Sequence, residues 1–547
     1  MNIKSRIGYY SGLINLKRKP LTMLLLALGF MLGTSTMYAN ALATTATTDS
    51  INPAKSCKSL LSTTIKDGST DNVAFNVTNA VADPGNATQP ASCQVSVVAT
   101  HPPSGDKVNI WIWLPAAKWN GRFEGTGGSG YSGGSISSLA APLKDGYVAG
   151  ATDTGHSGSD ASFLLNSDNS LNWQLIDDDY LGVHEMTVAG KTLTNAFYGR
   201  QPKYSYFSGC STGGRQGINE ARQYPSDYNG VLAGSPAINI TKQRVIGLWG
   251  ELVMLQSNDF LPQCKFEAAN AAAVQACDLL DKVKDGVIND PRDCNYDPQP
   301  LVGTSTACGT ITQTDVNVIR KIWQGPKDTQ GNFIWYFPDR GASFSGLSNT
   351  TTVGSTTVGA PSSLMTQWVQ YALKQNPNWD WHTLTYQEFE HLFTQSVEEF
   401  GTVLSDSADL DSFHDAGGKL LMWHGWSDQL LSPRATINFY DRVTDATGSL
   451  KKTQDYARLF TAPGVGHCGG GNGPQPVGQF QALIDWVEHN DAPDTLRAEK
   501  RDATGNLIQT RPLCAYPQTA VYKGHGSTDD MKNFQCKTVD KDVKHQG

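Results

Sequence analysis

The chain has 547 residues, a formal net charge of −8, 39% hydrophobic residues and 17% charged ones. This is the balance of an ordinary globular protein rather than a disordered or membrane-embedded one, and an acidic excess with no basic patch excludes nucleic acid as the main partner. The length exceeds one simple core, so one large domain with an insertion or a second domain is expected.

From the N-terminus, the first feature is a targeting segment. Lys4, Arg6, Lys17, Arg18 and Lys19 form a basic leader, Leu21–Leu32 is apolar, and small residues follow at Ala39-Asn40-Ala41 and Ala41-Leu42-Ala43. The apolar run is short for a bilayer span, so residues 1–43 read as a cleaved signal peptide, with an uncleaved anchor as the alternative. No other window approaches transmembrane length, so no membrane span is expected once the signal is removed. The chain is therefore read as secreted or periplasmic. In an oxidising compartment its ten cysteines suggest five disulfides, whereas in cytosol they would suggest metal or redox chemistry. Neighbourhood suggests Cys57–Cys93, Cys277–Cys294 and Cys514–Cys536, although connectivity is not deducible from sequence alone.

Short apolar runs ending in small residues or turns predict strands at Val108–Leu114, Tyr147–Asp153, Tyr204–Ser208, Gly230–Ala233, Lys419–Trp423 and Leu459–Ala462. Helical patterns fall between them at His184–Tyr198, Thr212–Gln223 and Phe480–Glu488. Strands alternating with helices imply an α/β fold with a mostly parallel sheet covered on both faces. From about Ile240 to Ser405 that rhythm breaks. This stretch holds four cysteines, an acidic run at Asp278–Asp290 and the aromatics Trp335, Tyr336, Phe337, Trp368 and Trp379. It reads as an insertion between two halves of one sheet.

Three motifs carry chemistry. Gly209-Cys210-Ser211-Thr212-Gly213 fits G-x-S-x-G after a strand and before a helix, the context in which a strained turn lifts a nucleophilic Oγ off the sheet. His467, in Gly464-Val465-Gly466-His467-Cys468-Gly469, follows the last predicted strand and is the candidate general base. Asp428, ending Trp423-His424-Gly425-Trp426-Ser427-Asp428, lies between them in chain order and would hold the imidazole tautomer. Asp411 and Asp415 precede that strand and Asp485 follows the histidine. Cys210 adjoins Ser211 and Cys468 adjoins His467. If these cysteines bond, the nucleophile and base share one small volume, which leaves Cys264–Cys308 by elimination. An oxyanion needs two backbone donors. The Thr212 amide is one, and the other is sought in Gly125-Thr126-Gly127-Gly128-Ser129-Gly130, at Gly128 ahead of Gly127.

Together these motifs resemble the tannase and feruloyl esterase family, which includes mono(2-hydroxyethyl) terephthalate hydrolase. The tail motifs Arg511-Pro512-Leu513-Cys514-Ala515-Tyr516-Pro517 and Phe534-Gln535-Cys536 are similar to its C-terminal signature. The resemblance implies an α/β-hydrolase fold in residues 44–239 and 406–547, a lid domain over 240–405, and a Cys210–Cys468 disulfide. It also implies a structural Ca2+, held by carboxylates of Asp278, Asp281 and Asp285 and main-chain carbonyls of Val283 and Val287; no organic cofactor is implied. The expected activity is serine esterase action on a small aromatic ester, feruloyl ahead of galloyl or terephthalate-type. Aromatics of the insertion would form a platform for a planar acyl group. A non-catalytic ligand-binding protein on the same scaffold, and an exported peptidase, are the rival readings.

Overall fold

A computed structural model describes residues 51–68 and 72–538, so the expected signal peptide lies outside the described residues. Nine strands build the main sheet among these residues: β1 (Ala74–Asp83), β2 (Ser92–Thr100), β3 (Val108–Pro115), β4 (Arg122–Thr126), β5 (Val148–Thr152), β6 (Tyr204–Cys210), β7 (Gly230–Gly234), β8 (Lys419–Gly425) and β9 (Ala457–Ala462). Their order is β1-β2-β3-β5-β4-β6-β7-β8-β9. The pairs from β1 to β5 are antiparallel, and those from β5 to β9 are parallel. This is an α/β-hydrolase-like sheet, parallel where the chemistry was expected.

Side-chain alternation explains why these segments form strands. In β3, Val108, Ile110, Ile112 and Leu114 are fully buried while Asn109, Trp111 and Trp113 are half-buried. Nearer the sheet centre, both faces are covered. Phe207 of β6 joins one core with Phe123 and Met422, and its neighbour Tyr206 joins another with Trp423, Phe460 and Trp486. Helices α1 (Trp173–Tyr198), α2 (Thr212–Gln223), α3 (Pro433–Thr447) and α4 (Gln479–His489) supply cover. The α1 helix begins eleven residues before the predicted His184, capped by the Asn172 side chain, which accepts from the Leu175 amide at 3.3 Å.

Between β7 and β8 the chain leaves the sheet for residues 235–418 and folds mainly into helices. Trp249, Phe266, Val318, Ile319 and Phe389 form a core there, joined by Tyr131 and Ile176 from the preceding segment. All ten cysteines are paired in the five combinations named above, with Cα separations of 5.4, 5.9, 6.2, 5.6 and 5.6 Å. Among the described residues no helix is long and apolar enough to cross a membrane.

Candidate active site

Ser211, Asp428 and His467 all follow the C-terminal ends of parallel strands: β6, β8 and β9 respectively. Ligands in open α/β sheets bind at this edge. Ser211 has φ 61° and ψ −120°, a conformation that non-glycine residues rarely adopt, on the sharp turn from β6 into α2. Close packing explains the glycines around it. A Cβ on Gly209 would lie 2.4 Å from the Gly213 carbonyl carbon, and one on Gly127 2.4 Å from the Gly213 Cα. The backbones of the turn and the glycine-rich loop touch with no room for a side chain.

The serine turn and the histidine loop are joined in two ways. Cys210 and Cys468 form a disulfide with Cα atoms 5.9 Å apart. In addition, the segment after β7 contacts both sides: the Ala237 amide donates to the Ser211 carbonyl (3.1 Å), and the Cys468 amide donates to Ser235 Oγ (3.4 Å).

Asp428 is fully buried. Its Oδ1 accepts from the Leu430 and Leu431 amides, both at 2.8 Å. Its Oδ2 accepts from His467 Nδ1 at 2.7 Å and His424 Nε2 at 3.0 Å. Burial pushes the carboxyl pKa up, but the hydrogen bonds and charge of the two histidines outweigh it and hold the group well below the usual carboxylate range. His424 is a residue that sequence reasoning gave no role. Its Nε2 also points to the Leu431 carbonyl (3.2 Å), which can only accept, while Nδ1 meets Thr436 Oγ1 (2.8 Å). These partners suit an Nε2–H tautomer with Thr436 as donor. The signal was present in the His424-to-Asp428 spacing, but a histidine four residues before an aspartate in a turn carries no chemistry until the turn folds.

The Gly128 amide, sought as the second oxyanion donor, donates to Gln216 Oε1 at 2.9 Å, and the Gly127 amide to the Ser208 carbonyl at 3.1 Å. The Gly128 amide is engaged because α2 packs its buried Gln216 against the loop, and the Gly127 amide because the loop continues the pairing of β4 with β6. The Gly130 carbonyl accepts from Thr212 Oγ1 (2.7 Å) and Arg244 Nη2 (3.3 Å). Of the aromatics expected to form a platform, Trp368 and Phe337 are instead buried in the core of the inserted segment; Trp368 donates to Ser396 Oγ at 2.9 Å and meets Phe400 edge-on.

The acidic segment folds as one short turn (Asp278–Asp281) closed by the Cys277–Cys294 disulfide. Asp278 Oδ1 accepts from the amides of Asp285 (3.1 Å) and Gly286 (3.0 Å), Asp281 Oδ1 from that of Val283 (3.0 Å), and Asp285 pairs with Arg511. Burial, with the charges of Asp285 and Asp278, pushes the Asp281 carboxyl up to about 6. Three carboxylates beside the buried residues Val283 and Val287 offer oxygen donors only, the donor type that a hard divalent cation takes.

The family model described as tannase and feruloyl esterase matches residues 93–537. The chain is 39% identical to a probable feruloyl esterase from Arthroderma benhamiae, over 81% of this chain and 85% of that one. It is 30% identical to feruloyl esterase B from Aspergillus niger, over 83% and 89%. Among solved structures, a tannin acyl hydrolase from Aspergillus niger superposes with a TM-score of 0.76 at 25% identity, covering 86% of this chain and 93% of that one. A feruloyl esterase B from Aspergillus oryzae gives 0.75 at 26%, covering 86% and 97%.

Proposed function

As the chain belongs to the tannase and feruloyl esterase family and is thus a carboxylic ester hydrolase, we propose that it is an exported serine esterase of aromatic, feruloyl-type esters. Ser211 Oγ attacks the ester carbonyl carbon. His467 Nε2 takes the hydroxyl proton and passes it to the departing alcohol as the acyl–oxygen bond breaks. Water, deprotonated by the same nitrogen, then releases the acid from Ser211. Asp428 holds the imidazole with Nδ1 protonated, and the Thr212 amide donates to the oxyanion. The observation carrying this reading is the hydrogen bond from His467 to the buried Asp428, on a loop disulfide-linked to the serine turn.

The feruloyl acyl group is favoured by the names of the curated relatives. A galloyl acyl group is the second reading, favoured by the likeness to a tannin acyl hydrolase. Residues 240–405 act as the lid. Asp278, Asp281, Asp285 and the carbonyls of Val283 and Val287 would hold Ca2+, which supplies charge neutralisation to the lid and takes no part in acyl transfer. Export rests on the five disulfides and the N-terminal segment.

The test is kinetic. Ser211→Ala should retain the fold by circular dichroism while kcat/KM on methyl ferulate falls by about a thousandfold or more. Residual activity above roughly a tenth of wild type removes Ser211 as nucleophile. Comparing methyl ferulate with methyl gallate decides the acyl group.

A further inference from the structure

The Leu430 and Leu431 amides that donate to Asp428 Oδ1, both at 2.8 Å, are the N–H ends of two successive peptide groups. A peptide group is planar, so whatever fixes its carbonyl end also fixes the direction of its N–H. Both carbonyl ends meet residues of the segment inserted between β7 and β8. The Leu430 carbonyl, in the same peptide group as the Leu431 N–H, accepts from Nε2 of Gln243, on the short helix Ile240–Ile246. The Gln429 carbonyl, in the same peptide group as the Leu430 N–H, lies against Gly346 so closely that a Cβ there would have no room.

The side chains repeat the pattern. Leu431 is buried, with Leu430 packed beside it, in the core that Trp249, Phe344 and Leu347 form in the inserted segment. Gln429 reaches the other way, its Oε1 accepting from the His467 amide at 3.1 Å. The four residues from Asp428 to Leu431 thus join the acid, the histidine loop and the inserted segment.

Resting on the esterase reading above, we propose that Gln243 is a positioning residue: through the Leu430–Leu431 peptide group it aims an N–H at Asp428, and so sets how firmly the acid orients His467. The inserted segment is then a support of the acid as well as a lid. Two physical effects act together. Gln243 and Asp428 are both buried, so water does not compete for the donors at either end of the peptide group. A donor at the carbonyl also polarises the amide and strengthens its N–H, by roughly 10–30% per bond in such chains. Gln243 stands 187 residues from Leu430, which is why no local pattern in the sequence marks it.

The test removes the donor and keeps the bulk. Gln243→Met should lower kcat on methyl ferulate about fivefold, per titrated active site, with KM within about twofold. The proton NMR resonance of His467 Nδ1–H, identified by its loss in His467→Gln, should move in the same variant. Gln243→Ala is a second variant with the same expectations. Gln243→His, whose ring N–H has a similar reach, should bring kcat back to within about twofold of wild type. Ile319→Val, a mild change in the core of the inserted segment, controls for softening and should leave kcat unchanged. The role of Gln243 is overturned by any of four results with the esterase reading left standing: an unchanged kcat, a rise in KM alone, an unmoved resonance, or a histidine variant no faster than the methionine one. Slowing by Ile319→Val to the same degree overturns it as well. The esterase reading itself falls only if Ser211→Ala, assayed alongside, stays active.

Discussion

Asp428 makes four hydrogen bonds, two from backbone amides and two from imidazoles, with no exposure to water. A buried carboxylate persists only with such a set. His424 is therefore as much a part of the acid as the aspartate is. His424→Ala should lower kcat about tenfold with KM little changed, because Oδ2 loses one donor and holds the His467 tautomer less firmly. Steady-state kinetics on methyl ferulate check this. An unchanged kcat would reduce His424 to packing. The residues proposed to touch the reaction stand out in the sequence because their signals are local: a G-x-S-x-G turn, a carboxylate after a strand, a histidine after the last one. His424 and Gln216 were not, since each acts only through a partner brought to it by folding. The bond from the Gly128 amide to Gln216 was hidden for the same reason, since Gln216 comes from a different element.

Elements were legible where the pattern was pure. The α2 helix runs from Thr212 to Gln223 as its spacing predicts, and β3 alternates residue by residue. The β1 strand was not anticipated, because a strand at the end of the sheet buries only Val77 and Ala80 and needs little apolar periodicity. The start of α1 was hidden by Asp177-Asp178-Asp179, an acidic run that breaks the apolar period. Contact between the glycine-rich loop and α2 yields a sharp expectation. Gly127→Ala drives a Cβ to 2.4 Å from backbone that cannot yield as a side chain would, so it should cost about 2 kcal/mol or more and lower soluble yield. Thermal unfolding measures it. The acidic turn gives another: chelation by EDTA should lower the melting temperature by several degrees, about 2–4 °C per kcal/mol for a chain above 150 residues, and Asp281→Asn should abolish that difference. An unshifted transition would remove Ca2+ from the scheme.

Over the whole molecule, the departure of residues 235–418 from the sheet was visible as a break in rhythm, whereas the contribution of Tyr131 and Ile176 to that segment's core was not, because it joins residues far apart in sequence. Glu251, buried in this segment, has its carboxyl pushed up to about 8 by burial, partly offset by the Asn349 backbone. A folded pKa raised above the unfolded one favours folding of the protonated form. That stability is complete below about pH 4.5 and is lost as pH rises toward 8. Glu251→Gln should therefore raise the melting temperature at pH 8, by roughly 2–4 kcal/mol equivalent, and make almost no difference at pH 4.5. Calorimetry at the two pH values decides it.

The Cys210–Cys468 bond closes a loop of 258 residues, which chain-entropy arguments put on the order of 5 kcal/mol. Cys210→Ala/Cys468→Ala should lose kcat beyond its loss of folded protein, measured per mole of active-site titrated enzyme. The bond has a further consequence in time rather than space. Newly made chain carrying two free thiols there lacks the staple between its halves, so catalytic power should arise only on oxidation. In a reducing compartment the chain would stay without this staple, and hydrolytic power should appear only where the two sulfurs can join.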